Sequence, residues 1–174
     1  KAMSKEEVLA KSLMAQSVIL DSDIYREAET LMLYIPLGNE ISTLDIIEKA
    51  YDDGKTVLVP VTDSKTYELT AHEITRDTEF EKGMFSVTEP REKVPFDTSR
   101  IDVVLVPGIA FSRDGSRIGF GKGCYDKFLK DTEVLKVGFC YDFQITDEVY
   151  ADSFDIEMDY LITEKEFIDC KNGV

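Results

Sequence analysis

The sequence predicts a single three-layer α/β/α domain with a mostly parallel central sheet. A strand–helix–strand pattern runs over about thirty residues from Leu31 to Pro60, two further apolar runs follow, and a helical repeat opens the chain. Parallel neighbours need a crossover, and a helix is the usual one, so alternation of this kind implies a parallel sheet covered by helices.

Each element has a local reason. Ser4-Lys5-Glu6-Glu7 is a capping-box pattern, with a hydroxyl placed to cap and a carboxylate placed to answer it. Val8, Leu9, Leu13, Met14 and Val18 then recur at helical spacing, which predicts a helix over residues 5–20. Leu31 to Ile35 reads as a short apolar strand closed by Pro36 and Gly38. Leu44, Ile46, Ile47 and Ala50 line a helix that Gly54 ends, and Thr56 to Val59 is a buried strand stopped by Pro60. Tyr67 to Ile74 alternates and reads as a more exposed strand or hairpin arm, with His72 an exposed strand residue. Residues 76–100 are polar, contain Pro90 and Pro95, and read as a long connection. Ile101 to Val106, Leu135 to Cys140 and Tyr160 to Ile162 complete the strands, and Asp126 to Lys130 falls in a helix. Ligands in such sheets bind beyond the carboxyl ends of the strands.

Composition narrows the functional classes. The 174 residues are 43% hydrophobic, which suits one ordinary globular domain. No apolar run approaches the ~20 residues of a membrane helix, and no secretory signal is read at the start. Three cysteines without metal-type spacing read as reduced thiols in a cytoplasmic protein. One histidine argues against a zinc site or a serine-type triad. Lys and Arg number 20 against 35 Asp and Glu, a formal charge of −15. Such a surface repels nucleic acid and anionic membranes, so neither is expected as a partner. A phosphate ligand would have to be held by local bases.

Those bases cluster once. Arg117 to Lys127 reads Arg-Ile-Gly-Phe-Gly-Lys-Gly-Cys-Tyr-Asp-Lys, with glycines on alternate positions. Glycine admits positive φ and brings main-chain N–H groups close to a ligand, and gathered N–H groups favour an anion. Arg117, Lys122 and Lys127 add positive charge, and Asp126 adds a carboxylate suited to a bridging cation. The combination points to a nucleotide with its metal. Two familiar phosphate templates fail: Gly121-Lys122 is followed by Gly123 rather than Ser or Thr, and Cys124 stands where a dinucleotide loop needs its third glycine.

The segment Val106-Pro107-Gly108-Ile109-Ala110-Phe111, then Gly115, then Arg117 to Lys127, resembles the signature of the 5-formyltetrahydrofolate cyclo-ligase family. Tyr34 to Thr43, Gly54 to Pro60, Glu89-Pro90, Val137-Gly138-Phe139 with Gln144, and Asp155 to Thr163 are similar to further family segments. The resemblance implies a Rossmann-like, CoA-transferase-like fold. It also implies ATP-dependent closure of 5-formyltetrahydrofolate to 5,10-methenyltetrahydrofolate, with ADP and phosphate released. By resemblance, Arg117, Ile118, Gly119, Phe120, Gly121, Lys122, Gly123, Cys124 and Tyr125 form the ATP loop, Arg117 stabilising charge with no covalent nucleophile. Ile35 and Glu40 line the folate pocket together with Phe120 to Cys124. Asp126 and Asp155 hold Mg2+. A monomer acting on 5-formyltetrahydrofolate, polyglutamylated or not, is the implied assembly.

Three departures from the family pattern stand out. Phe154 replaces a His before Asp155, Cys124 replaces an aromatic, and Lys1 to Glu7 aligns with the segment after a basic ATP-binding helix, which is expected upstream of residue 1. These departures set an alternative beside the enzyme: a diverged relative that binds folate or nucleotide without turnover. A different α/β enzyme holding a sugar phosphate is a third reading, against which the match at Glu40 argues.

Overall fold

The first helix, α1 (Lys5–Leu20), begins at the expected capping box: the Ser4 hydroxyl accepts the Glu7 N–H at 3.1 Å and the Glu7 carboxylate reaches back to the Ser4 N–H. The computed structural model describes residues 2–147, 149 and 155–172. Among these, α2 (Asp23–Glu27), α3 (Leu44–Asp52) and α4 (Cys124–Leu129) are the other α-helices.

The side that α1 buries mixes apolar and polar residues and leaves much of its apolar repeat outside. Ser12, Ala15, Gln16 and Ile19 are buried, while Leu9, Leu13 and Met14 are exposed. Hydrogen bonding chooses the docked face. The first N–H groups of a helix have no partner inside it, and Thr43 gives α3 no side-chain cap. Gln16 supplies one from outside, its Oε1 accepting from Asp45 N–H (2.9 Å) and Ile46 N–H (3.2 Å). The Ser12 hydroxyl accepts the Ser42 N–H at 2.9 Å.

The sheet is built on β1 (Thr30–Met32), flanked by β2 (Thr56–Thr62) on one side. Beyond β2 lies β3 (Leu69–Ile74), antiparallel to it. A hairpin of β4 (Phe80–Lys82) and β5 (Thr88–Pro90) follows, and then β6 (Val103–Val106), which flanks β1 on its other side. A second small hairpin joins β7 (Ala110–Phe111) to β8 (Arg117–Ile118). Then come β9 (Leu135–Phe139), β10 (Tyr160–Ile162) and β11 (Phe167–Asp169). The seven-stranded order is β11-β10-β9-β6-β1-β2-β3, with parallel pairing from β10 through β2 and an antiparallel strand at each edge. One face carries a core of Ala15, Ile19, Leu31, Ile46, Val57, Val103 and Leu105, beneath α1 to α3. The other face packs Met32, Leu58, Val104, Phe111 and Leu129 beneath α4 and the β7–β8 hairpin. This is the α/β/α domain the sequence predicts.

Three expectations need correction. Pro60 does not stop β2, which continues to Thr62. The Leu58 carbonyl turns toward the β1 side, accepting from Leu33 N–H at 2.8 Å, and β1 pairs no further than Leu58. Pro60 has the same parity, so its missing N–H falls where the ladder has already ended. Next, β3 is largely buried. The connection at residues 94–96 covers its outer edge, through Glu73 N–H to Val94 O and Phe96 N–H to Ala71 O, both 3.0 Å. Last, His72 is 5% exposed instead of solvent-facing.

His72 therefore carries a pH signature. Its Nε2 lies 2.7 Å from the Thr70 hydroxyl and its buried Nδ1 has no partner. Burial, with the nearby Lys93 charge, pushes the imidazole below its ordinary value, and Glu89 opposes this. The unfolded chain thus takes up a proton first as pH falls below ~6.5, so this group's stabilisation is complete above that value and is lost toward the lower folded one. We expect the Tm of His72→Gln to fall less than that of the wild type between about pH 7 and 5. Parallel slopes in differential scanning fluorimetry would exclude the effect.

Candidate active site

The β7–β8 hairpin sets the site on the sheet. Phe111 is fully buried and crosses the sheet at Gly138, where an added Cβ would lie 2.6 Å from its ring and 2.6 Å from Leu161. Any larger residue at 138 would push the hairpin away. The turn between the two strands is closed by Ser112 N–H to Ser116 O and Gly115 N–H to Ser112 O, both 2.9 Å. Asp114 adds an acceptor for the Ser112 hydroxyl and the Ser116 N–H.

Arg117 emerges from this hairpin and turns inward. It is 6% exposed, with Nη1 donating to the Pro107 carbonyl at 2.9 Å and Nη2 3.8 Å from Asp126 Oδ2. Its guanidinium sits 5.6 Å from the Tyr125 ring centre, and its Nε has no partner. Burial pushes its pKa down, while Asp126, Tyr125 and Asp155 oppose that shift. A buried cation with an orphan N–H is costly, and these acids are what hold it.

The alternate glycines serve different ends. At Gly119 an added Cβ would lie 2.8 Å from Arg117 Nη1, so the backbone there wraps the guanidinium. Gly121 (φ +97°) and Gly123 (φ +65°) meet nothing within 4 Å, and their positive φ is the reason for glycine. Gly123 is the N-cap of α4 and offers that helix no side-chain bond. Between them, Ile118, Phe120 and Lys122 project outward, Phe120 being 61% exposed. The Lys122 ammonium lies 5.1 Å over the Tyr67 ring, which stacks on Phe85 at 6.2 Å.

The first turn of α4 brings Cys124, Tyr125 and Asp126, all half-buried. Asp126 Oδ1 accepts the Ile156 N–H at 3.1 Å, and this bond draws Asp155 to the same place. Phe154 lies outside the described residues.

Glu40 approaches from the loop after β1. Its Oε1 accepts the Leu37 N–H at 2.8 Å, and burial raises its pKa despite that bond. After burial, its negative charge is the next cause pushing up the phenols of Tyr34 and Tyr125, and it also acts on Tyr141. The Glu40 charge thus lies near enough to Tyr34, Tyr125 and Tyr141 to act on all three phenols. Ile35 is half-buried against the core beside Tyr34, and the Tyr34 hydroxyl donates to Ile41 O at 2.6 Å. Glu40 and the 117–126 segment, far apart in sequence, are thus brought near one another at Tyr125, and Ile35 lies on the Glu40 side. A cavity of about 460 Å³ beside α4, lined by Leu69, Ala71, Phe96, Lys127 and Phe128, contains none of them.

A sequence profile of the 5-formyltetrahydrofolate cyclo-ligase family matches residues 1–164. The chain belongs to this family. It is 24% identical over 177 residues to the 5-formyltetrahydrofolate cyclo-ligase of Mus musculus, covering 94% of this chain and 87% of that one. The NMR structure of Aquifex aeolicus 5,10-methenyltetrahydrofolate synthetase superposes with a TM-score of 0.85 at 29% identity, over 97% of this chain and 86% of that one. The Mycoplasma pneumoniae 5,10-methenyltetrahydrofolate synthetase superposes with a TM-score of 0.74 at 25% identity, over 94% and 90%. Among the described residues of this cyclo-ligase family member, no helix is long and apolar enough to cross a membrane, and the three thiols are free.

Sequence reasoning missed Tyr67, Phe85 and Tyr141. Tyr67 and Phe85 both hold φ +60°, a conformation that neither residue type signals in a sequence. Tyr141 lies within an apolar run and carries no motif, yet its hydroxyl donates to Asn39 O, next to Glu40, at 2.8 Å.

Proposed function

We propose that this family member cyclises 5-formyltetrahydrofolate to 5,10-methenyltetrahydrofolate at the expense of ATP, the loop 117–125 holding the nucleotide and Glu40 holding the folate. The formamide oxygen is a poor leaving group, and its phosphorylation as an imidate lets the folate N10 close the ring and expel phosphate. Such transfer depends on position and charge neutralisation, which agrees with a site offering no activated nucleophile. The observation that carries the reading is the pair of positive-φ glycines, Gly121 and Gly123, leading into Asp126 at the start of α4, with the Glu40 charge near enough to act on the Tyr125 phenol.

The residues have distinct parts. At Gly121 and Gly123 the backbone has positive φ and the space a Cβ would take is open, and we assign the phosphate oxygens to the main-chain N–H groups there. Lys122, the outward Ile118 and Phe120, and the half-buried Cys124 line the approach shared by both substrates. Arg117 works from beneath, holding Asp126 in place and shaping the turn at Gly119. Glu40 accepts two N–H bonds from the pterin through its carboxylate, and Ile35 supplies apolar contact beside it.

Asp126 and Asp155 fit Mg2+. No group of three or more potential ligands occurs among the described residues, and Mg2+ commonly takes one or two carboxylates, with water and phosphate oxygens completing its shell. The ion pair between Asp126 and Arg117, at 3.8 Å, is too long for a hydrogen bond, and the Asp126 side chain is 23% exposed. Bound there, Mg2+ would neutralise charge on the phosphates. We place the protein in the cytoplasm, with reduced thiols.

The test is direct. Incubation with 5-formyltetrahydrofolate, ATP and Mg2+ is expected to produce methenyltetrahydrofolate absorbance and ADP in equal amounts. Binding of both ligands with neither product would make the protein a non-catalytic relative.

A further inference from the structure

The loop that carries Glu40 is tied down from outside by a residue that the pairing of substrates with the site does not use. Tyr141 follows β9 and is 3% exposed. Its hydroxyl donates to Asn39 O at 2.8 Å, and the Ser12 hydroxyl lies next to the same phenol oxygen. Ser12, itself buried, accepts the Ser42 N–H at 2.9 Å. Residues 39 and 42 are thus pinned on either side of Glu40, by one side chain from α1 and one from the end of β9. Buried Tyr34 closes the base of the loop, its hydroxyl donating to Ile41 O at 2.6 Å and its carbonyl accepting from the Thr43 hydroxyl at 2.5 Å. Leu37 N–H to Glu40 Oε1 and Glu40 N–H to Leu37 O fix the curl at the tip, which leaves Tyr141 as the tether on the Asn39 side.

The same short segment reaches the nucleotide half. Gln144 Oε1 accepts the Tyr141 N–H at 2.9 Å, while its Nε2 donates to Gly108 O at 2.8 Å and Ile109 O at 3.1 Å. The Ile109 N–H in turn donates to Ile118 O at 2.8 Å, at the start of the glycine loop. A ring stack of Tyr141 on Phe143, 5.4 Å between centres, stiffens the turn. Residues 141–144 therefore span the site as a strut, with Glu40's loop at one end and the glycine loop's anchor at the other.

We propose that Tyr141 is a positioning residue for the cyclisation: its hydroxyl fixes the Asn39 carbonyl and so holds the Glu40 carboxylate at the place where the pterin binds. The proposal rests on the reading of Glu40 as the folate acceptor. It says that Tyr141 acts through Glu40 and touches neither substrate. Removing one such hydrogen bond loosens a loop without opening a cavity, because Phe fills the space of Tyr.

The experiment compares wild type, Tyr141→Phe, Glu40→Ala and the double variant in steady-state assays with 5-formyltetrahydrofolate and ATP. Amide hydrogen exchange of the ligand-free protein is followed at Glu40 and Ser42. Tyr141→Phe is expected to raise the folate KM about fivefold, the size of one net hydrogen bond, with the ATP KM and kcat within about twofold. Exchange at Glu40 and Ser42 should quicken. In the Glu40→Ala background the same change should add nothing to the folate KM, as expected of residues acting as a unit. Equal effects of Tyr141→Phe in the two backgrounds, or ATP and folate KM rising together, would overturn the proposal. So would an unchanged folate KM with unchanged exchange. If Glu40→Ala leaves the folate KM untouched, the Glu40 reading fails instead, and exchange at Ser42 still decides whether the strut holds the loop. Ser12→Ala, which removes the acceptor of the Ser42 N–H, is the second variant should Tyr141→Phe not fold.

Discussion

Replacing Asp126 by Asn is expected to lower kcat/KM by about 100-fold or more, the scale seen when one preorganised charge is lost from a polar transition state. Two effects combine. Asn is a poor ligand for a hard cation, so the Mg2+ concentration giving half-maximal rate should rise as well. Arg117, 4% exposed at its side chain, also loses the acid that opposes its desolvation. An uncompensated buried charge is destabilising, so Tm should fall even though Asn keeps an oxygen for the Ile156 N–H. A Mg2+ titration of initial rates, alongside a melting curve, separates the two. Full activity with an unchanged Mg2+ dependence would remove Asp126 from the metal site.

Glu40→Gln should do the opposite to stability and harm only binding. Burial raises the Glu40 pKa, so the folded protein takes up this proton more readily than the unfolded chain. The ionised carboxylate therefore costs stability at high pH, and the cost is relieved as pH falls through the raised folded value. A neutral amide avoids it, and its carbonyl can still accept from Leu37 N–H. Tm at neutral pH should be unchanged or higher. The folate KM should nonetheless rise about 10- to 100-fold, because charge-assisted bonds to the pterin become ordinary ones. In the wild type that KM should worsen as acid protonates Glu40, and the Gln variant should lack this dependence. A Gln variant with the wild-type folate KM at every pH would show that the carboxylate does not read the substrate.

The parallel strands are legible because β1, β2, β6 and β9 are buried on both faces, and such strands read as continuous apolar runs. The glycine loop is legible for a related reason, since positive φ leaves a mark in the sequence. What escapes a sequence reading is what depends on a partner from elsewhere in the chain. His72 looks exposed because its strand alternates, and the segment that buries it, residues 94–96, looks like a polar connection. The apolar repeat of α1 announces a helix but misplaces its docked face, since that choice is made by Gln16 and Ser12 binding α3 and the loop before it. Arg117 looks like a surface base in a phosphate loop, and only the close approach of Gly119 reveals it as the loop's core. Asp155 is reached through resemblance, and its neighbourhood with Asp126 needs the fold.

The capping of α3 by Gln16 has a consequence for the order of assembly. A nine-residue helix that borrows its first hydrogen bonds from a side chain 29 residues earlier is marginal on its own. Its first turn is completed by α1, which also holds Ser42 at the end of the Glu40 loop. Undocking of α1 would therefore release the Glu40 loop and the start of α3 together, and on the proposed reading the folate side would suffer first. The glycine loop, seated on the buried hairpin, does not share that fate. Mild denaturation should accordingly cost this protein its folate before its nucleotide.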